Sequence, residues 1–278
     1  MSKSHSVPFA DKLARICSKV LRIVYPPKCI VCRELLTGSG EMCEDCRKIW
    51  AEARRERCPL CHKTARACTC LPFSLFYTDS IGSRKISSLA FYKKFGSDDL
   101  TNILVRRLVY SVKTNSDRSG VRFAARELSR ELLKTLALAG EKASDWKITY
   151  PQRSKKRARK YGFDQGRDLA REISRYTGIP YEETLENVSS LTQKNLNASE
   201  RKRNAEGSYV LKDGYTPSGK YFMIDDIITT GATLNAAALI LKENGAEAVY
   251  PVCIARSKKK KRKVRRMADR PWFKSIKT

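Results

Sequence analysis

Paired cysteines in the amino-terminal quarter constrain the fold of this chain more than any other feature. Eight of the ten cysteines lie between residues 29 and 70, in the close pairs Cys29/Cys32, Cys43/Cys46, Cys58/Cys61 and Cys68/Cys70. The chain begins without an apolar secretory stretch, and in that context such pairs favour metal ligation over disulfides. Because a Cys-x-x-Cys turn supplies half of a tetrahedral zinc site, residues 29–72 are predicted to form a zinc-binding module.

The order of the pairs predicts two structural zinc sites. The first takes Cys29, Cys32, Cys43 and Cys46, and the second takes Cys58, Cys61, Cys68 and Cys70. The gap between the last two cysteines is one residue shorter than the usual spacing. His62 is therefore an alternative ligand in the second site, and interleaved pairing of the four knuckles is another alternative.

Composition limits the remaining possibilities. The chain has 278 residues, of which 41% are hydrophobic, so it is long and apolar enough for one large domain or two ordinary ones. It contains no run of 18 apolar residues, and its start lacks a signal stretch, so we predict no membrane span and no secretion. A formal net charge of +27 favours polyanionic partners such as nucleic acid or phosphate-rich metabolites.

Changes in pattern divide the chain into five predicted parts. These are an amphipathic helix at 1–28, the zinc module at 29–72, a partly helical connector at 73–113, an α/β domain at 114–256 and a basic tail at 257–278. The apolar stripe of the first helix is expected to dock on the protein itself, and a membrane surface is the alternative.

Helices and strands alternate in the fourth part. We predict helices at 121–138, from Asp164 to Tyr176 and from Thr233 to Asn244, and strands at Trp146–Tyr150, Tyr221–Ile224 and Ala248–Ala255. Alternation of this kind is typical of a parallel sheet flanked by helices.

The segment from Tyr221 to Thr233 carries the most informative chemistry. A buried strand is followed by Asp225 and Asp226 and then by a turn that opens a helix, formed by Thr229, Thr230, Gly231, Ala232 and Thr233. Ligands of open parallel sheets bind at the carboxyl ends of strands, and helix amino termini favour phosphate. The pattern predicts a ribose 5-phosphate site, with phosphate in the turn and sugar hydroxyls on the two carboxylates.

The same segment, IDDIITTGAT, resembles the phosphoribosyl-pyrophosphate (PRPP) motif of type I phosphoribosyltransferases. Three further stretches resemble the ComF family: Pro26-Pro-Lys-Cys29, Lys160-Tyr-Gly-Phe-Asp-Gln165, and Gln193-x-x-Leu196-x4-Arg201-x-x-Asn204. The resemblance extends almost to Arg256. It implies a type I phosphoribosyltransferase fold that carries an amino-terminal zinc module, in a cytoplasmic bacterial protein associated with competence and DNA uptake.

The resemblance also implies roles for particular residues. Asp225 and Asp226 would bind the ribose hydroxyls of PRPP, and residues 229–233 its 5-phosphate. Arg153, Lys155 and Lys156, which follow the 146–150 strand, would hold pyrophosphate together with Mg2+. Transfer would displace pyrophosphate from C1, but neither an acceptor nor a general base can be assigned.

Two basic segments leave the function open between two classes. Residues 153–160 are interpreted as a lid over pyrophosphate, a nucleic-acid contact or a solvated face. Residues 256–278 contain twelve lysines and arginines, together with Trp272 and Phe273. One hypothesis is therefore a Mg2+-dependent phosphoribosyltransferase. The other is a non-catalytic, PRPP-responsive protein that binds single-stranded DNA.

Overall fold

The computed structural model describes residues 26–38, 40–70, 75–93, 99–114, 118–154, 159, 162, 164–188 and 208–258. Most of the predicted amino-terminal helix, Lys155 and Lys156, the 193–204 motif and the basic tail beyond Lys258 lie outside these residues.

The cysteine module surrounds one helix. Helix α1 spans Glu44–Arg55, begins with the acidic pair Glu44 and Asp45, and ends with Arg54 and Arg55. This charge order complements the helix dipole. Trp50 and Ala53 on its inner face are buried in the main hydrophobic core, so the module packs against the rest of the chain.

The main sheet is parallel, as predicted, and contains four strands among the described residues. They are β1 (Ser87–Tyr92), β2 (Trp146–Thr149), β5 (Gly219–Ile228) and β6 (Ala246–Ser257), in the order β1-β6-β5-β2. A separate antiparallel pair joins β3 (Leu185–Asn187) to β4 (Tyr209–Leu211). All the parallel strands point the same way, so their carboxyl ends share one edge.

Helices cover both faces of this sheet. Helices α2 (Leu100–Thr114), α3 (Ser119–Ala139) and α4 (Gln165–Thr177) share a core with Phe222 and Ile224. Helix α5 (Ala232–Glu243) shares a second core with Tyr221 and Met223. Side chains that alternate along β5 therefore point to opposite faces, which explains why a continuous apolar run marks this central strand.

The predicted helices and strands agree with these elements to within a few residues. Strand β1 was not predicted, although it pairs with β6 from Ser87 to Tyr92. Its first five residues are buried, so it has no polar alternation, and the connector assigned to 73–113 contributes a strand to the main sheet. The division into five parts stays a prediction.

Ion pairs fasten the cysteine module to α3. Glu127 of α3 accepts from Arg54 at 2.7 Å, and Glu131 accepts from Arg66 at 3.0 Å. Both carboxylates are more than nine-tenths buried, so these pairs fix orientation more than they add stability. The amino-terminal module is thus held against the helix layer of the α/β domain.

Candidate functional site

The candidate site is a cavity of about 270 Å³ at the carboxyl edge of the main sheet. The end of β5 and the segment after β2 form its walls, together with the start of α4. Its polar lining includes Lys113, Arg153, Asp164, Gln165, Asp225, Asp226 and Thr233. This is the place at which an open parallel sheet binds its ligands.

Asp226 lies at the centre of a polar network in this cavity. Its side chain is 6% exposed, and its Oδ2 lies 3.2 Å from Nζ of Lys113. The side-chain amide of Gln165 donates to the same oxygen. A buried carboxylate needs such partners, and here they come from α2 and α4, which are distant from β5 in the sequence.

Asp164 and Gln165 connect the segment after β2 to the acidic pair. Asp164 caps α4 through the amide of Gly166 at 3.0 Å and also accepts from the amide of Arg153 at 3.0 Å. The guanidinium of Arg153 donates to Oε1 of Gln165. Gln165 therefore bridges Arg153 and Asp226 with its two amide atoms, and holds the basic residue beside the carboxylates.

The environment of Asp225 favours its protonated form. Burial, and next the negative charge of Asp226, raise the pKa of Asp225 to about 7, against the opposing charges of Lys113 and Arg153. The amide of Asp226 donates to Oδ1 of Asp225 at 2.8 Å. When both are ionised, two adjacent carboxylates in one cavity can accept hydrogen bonds from hydroxyl groups or attract a divalent cation.

The turn between β5 and α5 has the geometry of an anion-binding helix start. Gly231 occupies the N-cap position with φ of +81°, a conformation that side chains rarely adopt, and it has no side chain to occupy the first turn. Thr230 Oγ1 lies 3.4 Å from the amide nitrogen of Ala232. Backbone amides at such a helix start favour phosphate.

The segment that follows the cysteine module braces this turn. A Cβ atom at position 231 would lie 2.5 Å from Cγ of Leu75, so glycine is needed for this packing as well. Oδ1 of Asn235, in the first turn of α5, accepts from the amides of Phe76 at 2.6 Å and Tyr77 at 3.0 Å. Residues 75–77 therefore contact both the turn, at Gly231, and the first turn of α5, at Asn235.

The structure brings the predicted ligand residues together in part. Asp225, Asp226, Arg153 and Thr233 line the cavity. Thr229 is exposed, and Thr230, Gly231 and Ala232 continue the turn into α5. Lys155 and Lys156 lie outside the described residues. The ligand-binding roles assigned to all of them stay predictions.

Sequence reasoning missed three polar residues of the site. Asp164 and Gln165 belong to a quoted motif, and Asp164 was identified only as a helix start. Lys113 had no signal at all, because it is the last residue of the connector predicted at 73–113, in which no site was predicted. A basic residue directed at an acidic pair more than a hundred positions away has no local signature.

The two cysteine groups form separate four-sulfur clusters. In each cluster the sulfur atoms all lie within 4.8 Å of one another, with Sγ–Sγ distances of 3.6 Å for Cys32/Cys43 and 3.5 Å for Cys61/Cys68. A tetrahedral zinc site has sulfur separations of about 3.8 Å, whereas a disulfide requires about 2 Å. Both clusters fit a structural metal ion.

This clustering resolves two alternatives left open by the sequence. The pairing is sequential, not interleaved, because each cluster uses two neighbouring knuckles. The exposed His62 does not belong to the second cluster, in which Cys70 supplies the fourth sulfur atom despite the short spacing.

Among the described residues, no helix is long and apolar enough to cross a membrane.

Curated proteins named for competence and DNA utilization are similar to this chain in sequence. No family model matches the chain. The competence protein ComFC of Streptococcus pneumoniae is 26% identical over 242 residues, which cover 82% of this chain and 100% of that protein. The DNA utilization protein YhgH of Escherichia coli K12 is 30% identical over 154 residues, or 54% of this chain and 66% of that protein.

Similar solved structures are enzymes of phosphoribosyl chemistry. The glutamine PRPP amidotransferase of B. subtilis is 22% identical, with a TM-score of 0.35, over 54% of this chain and 30% of that chain. The parallel sheet flanked by helices and the two cysteine clusters are themselves those expected from the motifs. By its sequence matches, this chain is a homologue of the competence protein ComFC and the DNA utilization protein YhgH.

Proposed function

We propose that the cavity binds PRPP with Mg2+ and that the protein is of the phosphoribosyltransferase type, with an acceptor still to be identified. The observation that carries this proposal is the meeting of Asp225 and Asp226, Arg153 and the amino terminus of α5 around one cavity. An acidic pair between two anion-binding elements suits a sugar that carries a phosphate at each end.

Each part of PRPP has a counterpart in this arrangement. The hydroxyls of the ribose donate to Asp225 and Asp226. The 5-phosphate accepts from the backbone amides at the start of α5, where Gly231 allows the chain to approach closely. Neutral hydroxyls thus meet the carboxylates, and the two anionic groups meet amides and a guanidinium.

Arg153 is proposed to neutralise the charge of the pyrophosphate end. Its guanidinium is held toward the cavity by Gln165, and the following residue, Ser154, also lines the wall. Mg2+, when bound, supplies further charge neutralisation on the pyrophosphate oxygens. Preorganised positive charge at the leaving group lowers the barrier to C1–O cleavage without requiring a strong protein base.

The two cysteine clusters are proposed to hold structural Zn2+. Four sulfur ligands and no open position match closed structural sites rather than catalytic ones. The ions would fold the module that packs on α3, since so small a segment has few apolar residues of its own.

A non-catalytic, PRPP-responsive protein that binds single-stranded DNA is the second candidate. One feature favours it: the formal net charge of +27, which suits a polyanionic partner better than the small cavity alone requires. A cytoplasmic location stays a prediction under either candidate.

Thermal unfolding with and without PRPP and Mg2+ tests the binding proposal. The parent protein is expected to melt at a higher temperature with the ligand, because PRPP binds only the folded state. Asp225→Asn with Asp226→Asn is expected to abolish this shift. The exposed pair Asp213→Asn with Glu243→Gln removes the same charge elsewhere and is expected to preserve it.

Pyrophosphate release from PRPP then separates the two candidates. Release that depends on an added nucleobase or amine supports the enzyme. Binding of PRPP without release across a panel of acceptors supports the sensor. If the double variant binds PRPP as well as the parent does, the ribose assignment is wrong.

A further inference from the structure

A second groove lies beside the candidate PRPP cavity and has a different chemistry. Its volume is about 460 Å³, and its walls include Tyr92 at the end of β1 and one face of α2. Lys113 and Ile227 line both this groove and the cavity. The two spaces therefore adjoin at the carboxyl edge of the sheet.

The α2 wall of the groove is basic along its length. Arg106, Tyr110 and Lys113 follow one another at helical spacing, and Arg107 flanks them. Helix α2 contains no Asp or Glu. Arg106 and Arg107 are exposed, and within the described part of the chain neither guanidinium has a carboxylate partner. Lys113 pairs with Asp226, but the charges of Arg106 and Arg107 have no carboxylate partner among the described residues and are available to an external anion.

Aromatic surface accompanies this charge. Tyr110 is 63% exposed and lies between Arg107 and Lys113 on α2, so its ring is accessible to a ligand. Tyr92 at the end of β1 also lines the groove and is half-buried. The wall from Ile103 to Lys113 extends about 15 Å along α2. Ring faces next to unpaired guanidinium groups suit a ligand that has both flat bases and phosphates.

We propose that this groove binds nucleotides of a single-stranded nucleic acid, with bases on Tyr110 and Tyr92 and phosphates on Arg106 and Arg107. The inference rests on the DNA-binding candidate function. It assigns DNA binding to this groove, which includes no residue of the 153–160 cluster or of the tail. A single strand is favoured over a duplex because its bases offer their faces for stacking.

Charge complementarity selects this occupant over other candidates. The whole chain carries +27, so a second copy would be repelled from a groove in which Arg106 and Arg107 have no carboxylate partner among the described residues. The tail beyond Lys258 is itself basic and is excluded for the same reason. A polyanion is attracted by this positive charge. Because its binding releases counterions, its affinity depends on the salt concentration.

The test measures binding of fluorescent oligo(dT) to the full-length chain at several salt concentrations. Arg106→Ala with Arg107→Ala removes two phosphate contacts and is expected to make the slope of log affinity against log salt shallower by about 1.4. Tyr110→Ala is expected to weaken binding about tenfold, and Tyr110→Phe to retain it, since a ring suffices for stacking. All three positions are exposed, so the variants are expected to fold.

A charge-matched variant provides the control. Arg130→Ala with Lys134→Ala removes two exposed charges from α3, outside the groove, and is expected to keep most of the affinity. If this control and the Arg106/Arg107 variant lose affinity equally, the groove assignment is wrong and general charge is responsible. If the parent binds no strand at low salt, the DNA-binding candidate fails as well. The thermal shift with PRPP is measured separately, so its outcome does not depend on either result.

Discussion

The guanidinium of Arg256 donates a hydrogen bond of 3.1 Å to the carbonyl oxygen of Cys68. It also donates to the carbonyl oxygen of Cys70, and its side chain is 2% exposed. Arg256 lies near the carboxyl end of β6, so one buried cation ties the main sheet to the backbone of the second cysteine cluster. The cluster and the sheet are therefore parts of one packed structure.

Replacing Arg256 is expected to loosen this connection. Arg256→Met keeps much of the volume but leaves two buried carbonyl groups without donors, at a cost of about 2–4 kcal/mol in the free energy of unfolding. Arg256→Lys retains the charge and can still donate to one of the two carbonyl oxygens, so it is expected to lower the free energy of unfolding by less. Urea unfolding followed by fluorescence measures both, and equal stability of Arg256→Met and the parent would contradict the role.

Metal content tests the cysteine clusters. Reduced, freshly purified protein is expected to contain about two zinc ions per chain by elemental analysis. Cys58→Ser with Cys61→Ser is expected to leave one ion, and Cys29→Ser with Cys32→Ser is expected to unfold the module around α1. Cys253→Ala, which changes a buried cysteine outside both clusters, is the control and is expected to retain both ions. Protein without zinc would refute the assignment.

Gln165 is predicted to position both Arg153 and Asp226. Gln165→Leu has a similar size but cannot bridge the two side chains, so we expect the affinity for PRPP to fall about tenfold, which corresponds to about 1.4 kcal/mol. Gln165→Glu places a third carboxylate beside Asp226 and is expected to weaken binding further. Isothermal titration measures the affinity, and circular dichroism checks the fold. Unchanged affinity in Gln165→Leu would remove this residue from the site.

The raised pKa of Asp225 predicts two opposite effects of pH. Between about pH 4 and pH 7 the folded state keeps a proton that the unfolded chain loses, so the contribution of Asp225 to stability falls as pH rises. PRPP with Mg2+ favours the ionised carboxylate, so its affinity is expected to rise through pH 7. Phosphate groups of the ligand also titrate near pH 6.

The Asp225→Asn variant separates the protein from the ligand in this experiment. In this variant, the remaining pH dependence of the affinity is due to titration of PRPP. The difference between the variant and the parent is due to Asp225. Melting temperature without ligand is measured across the same range as an independent check. Parallel pH profiles for parent and variant in both measurements would show that Asp225 does not titrate there.

Local patterns determined a large part of this protein. The spacing of the cysteines predicted which residues can bind metal, because ligands of one knuckle are neighbours in the chain. The apolar run at 221–224, the acidic pair and Gly231 predicted a strand, a carboxylate edge and a helix start, since each depends on a few consecutive residues. The parallel sheet followed from the alternation of such segments.

Tertiary structure alone decided how these pieces meet. Strand β1 took its place beside β6, the carboxylate of Asp226 received Lys113 and Gln165, and Arg256 reached the carbonyl groups of Cys68 and Cys70. Each of these contacts joins residues far apart in the chain. Their physical cause is the need of buried polar groups for partners, which is met only when separate elements pack together and leaves no periodicity in the sequence.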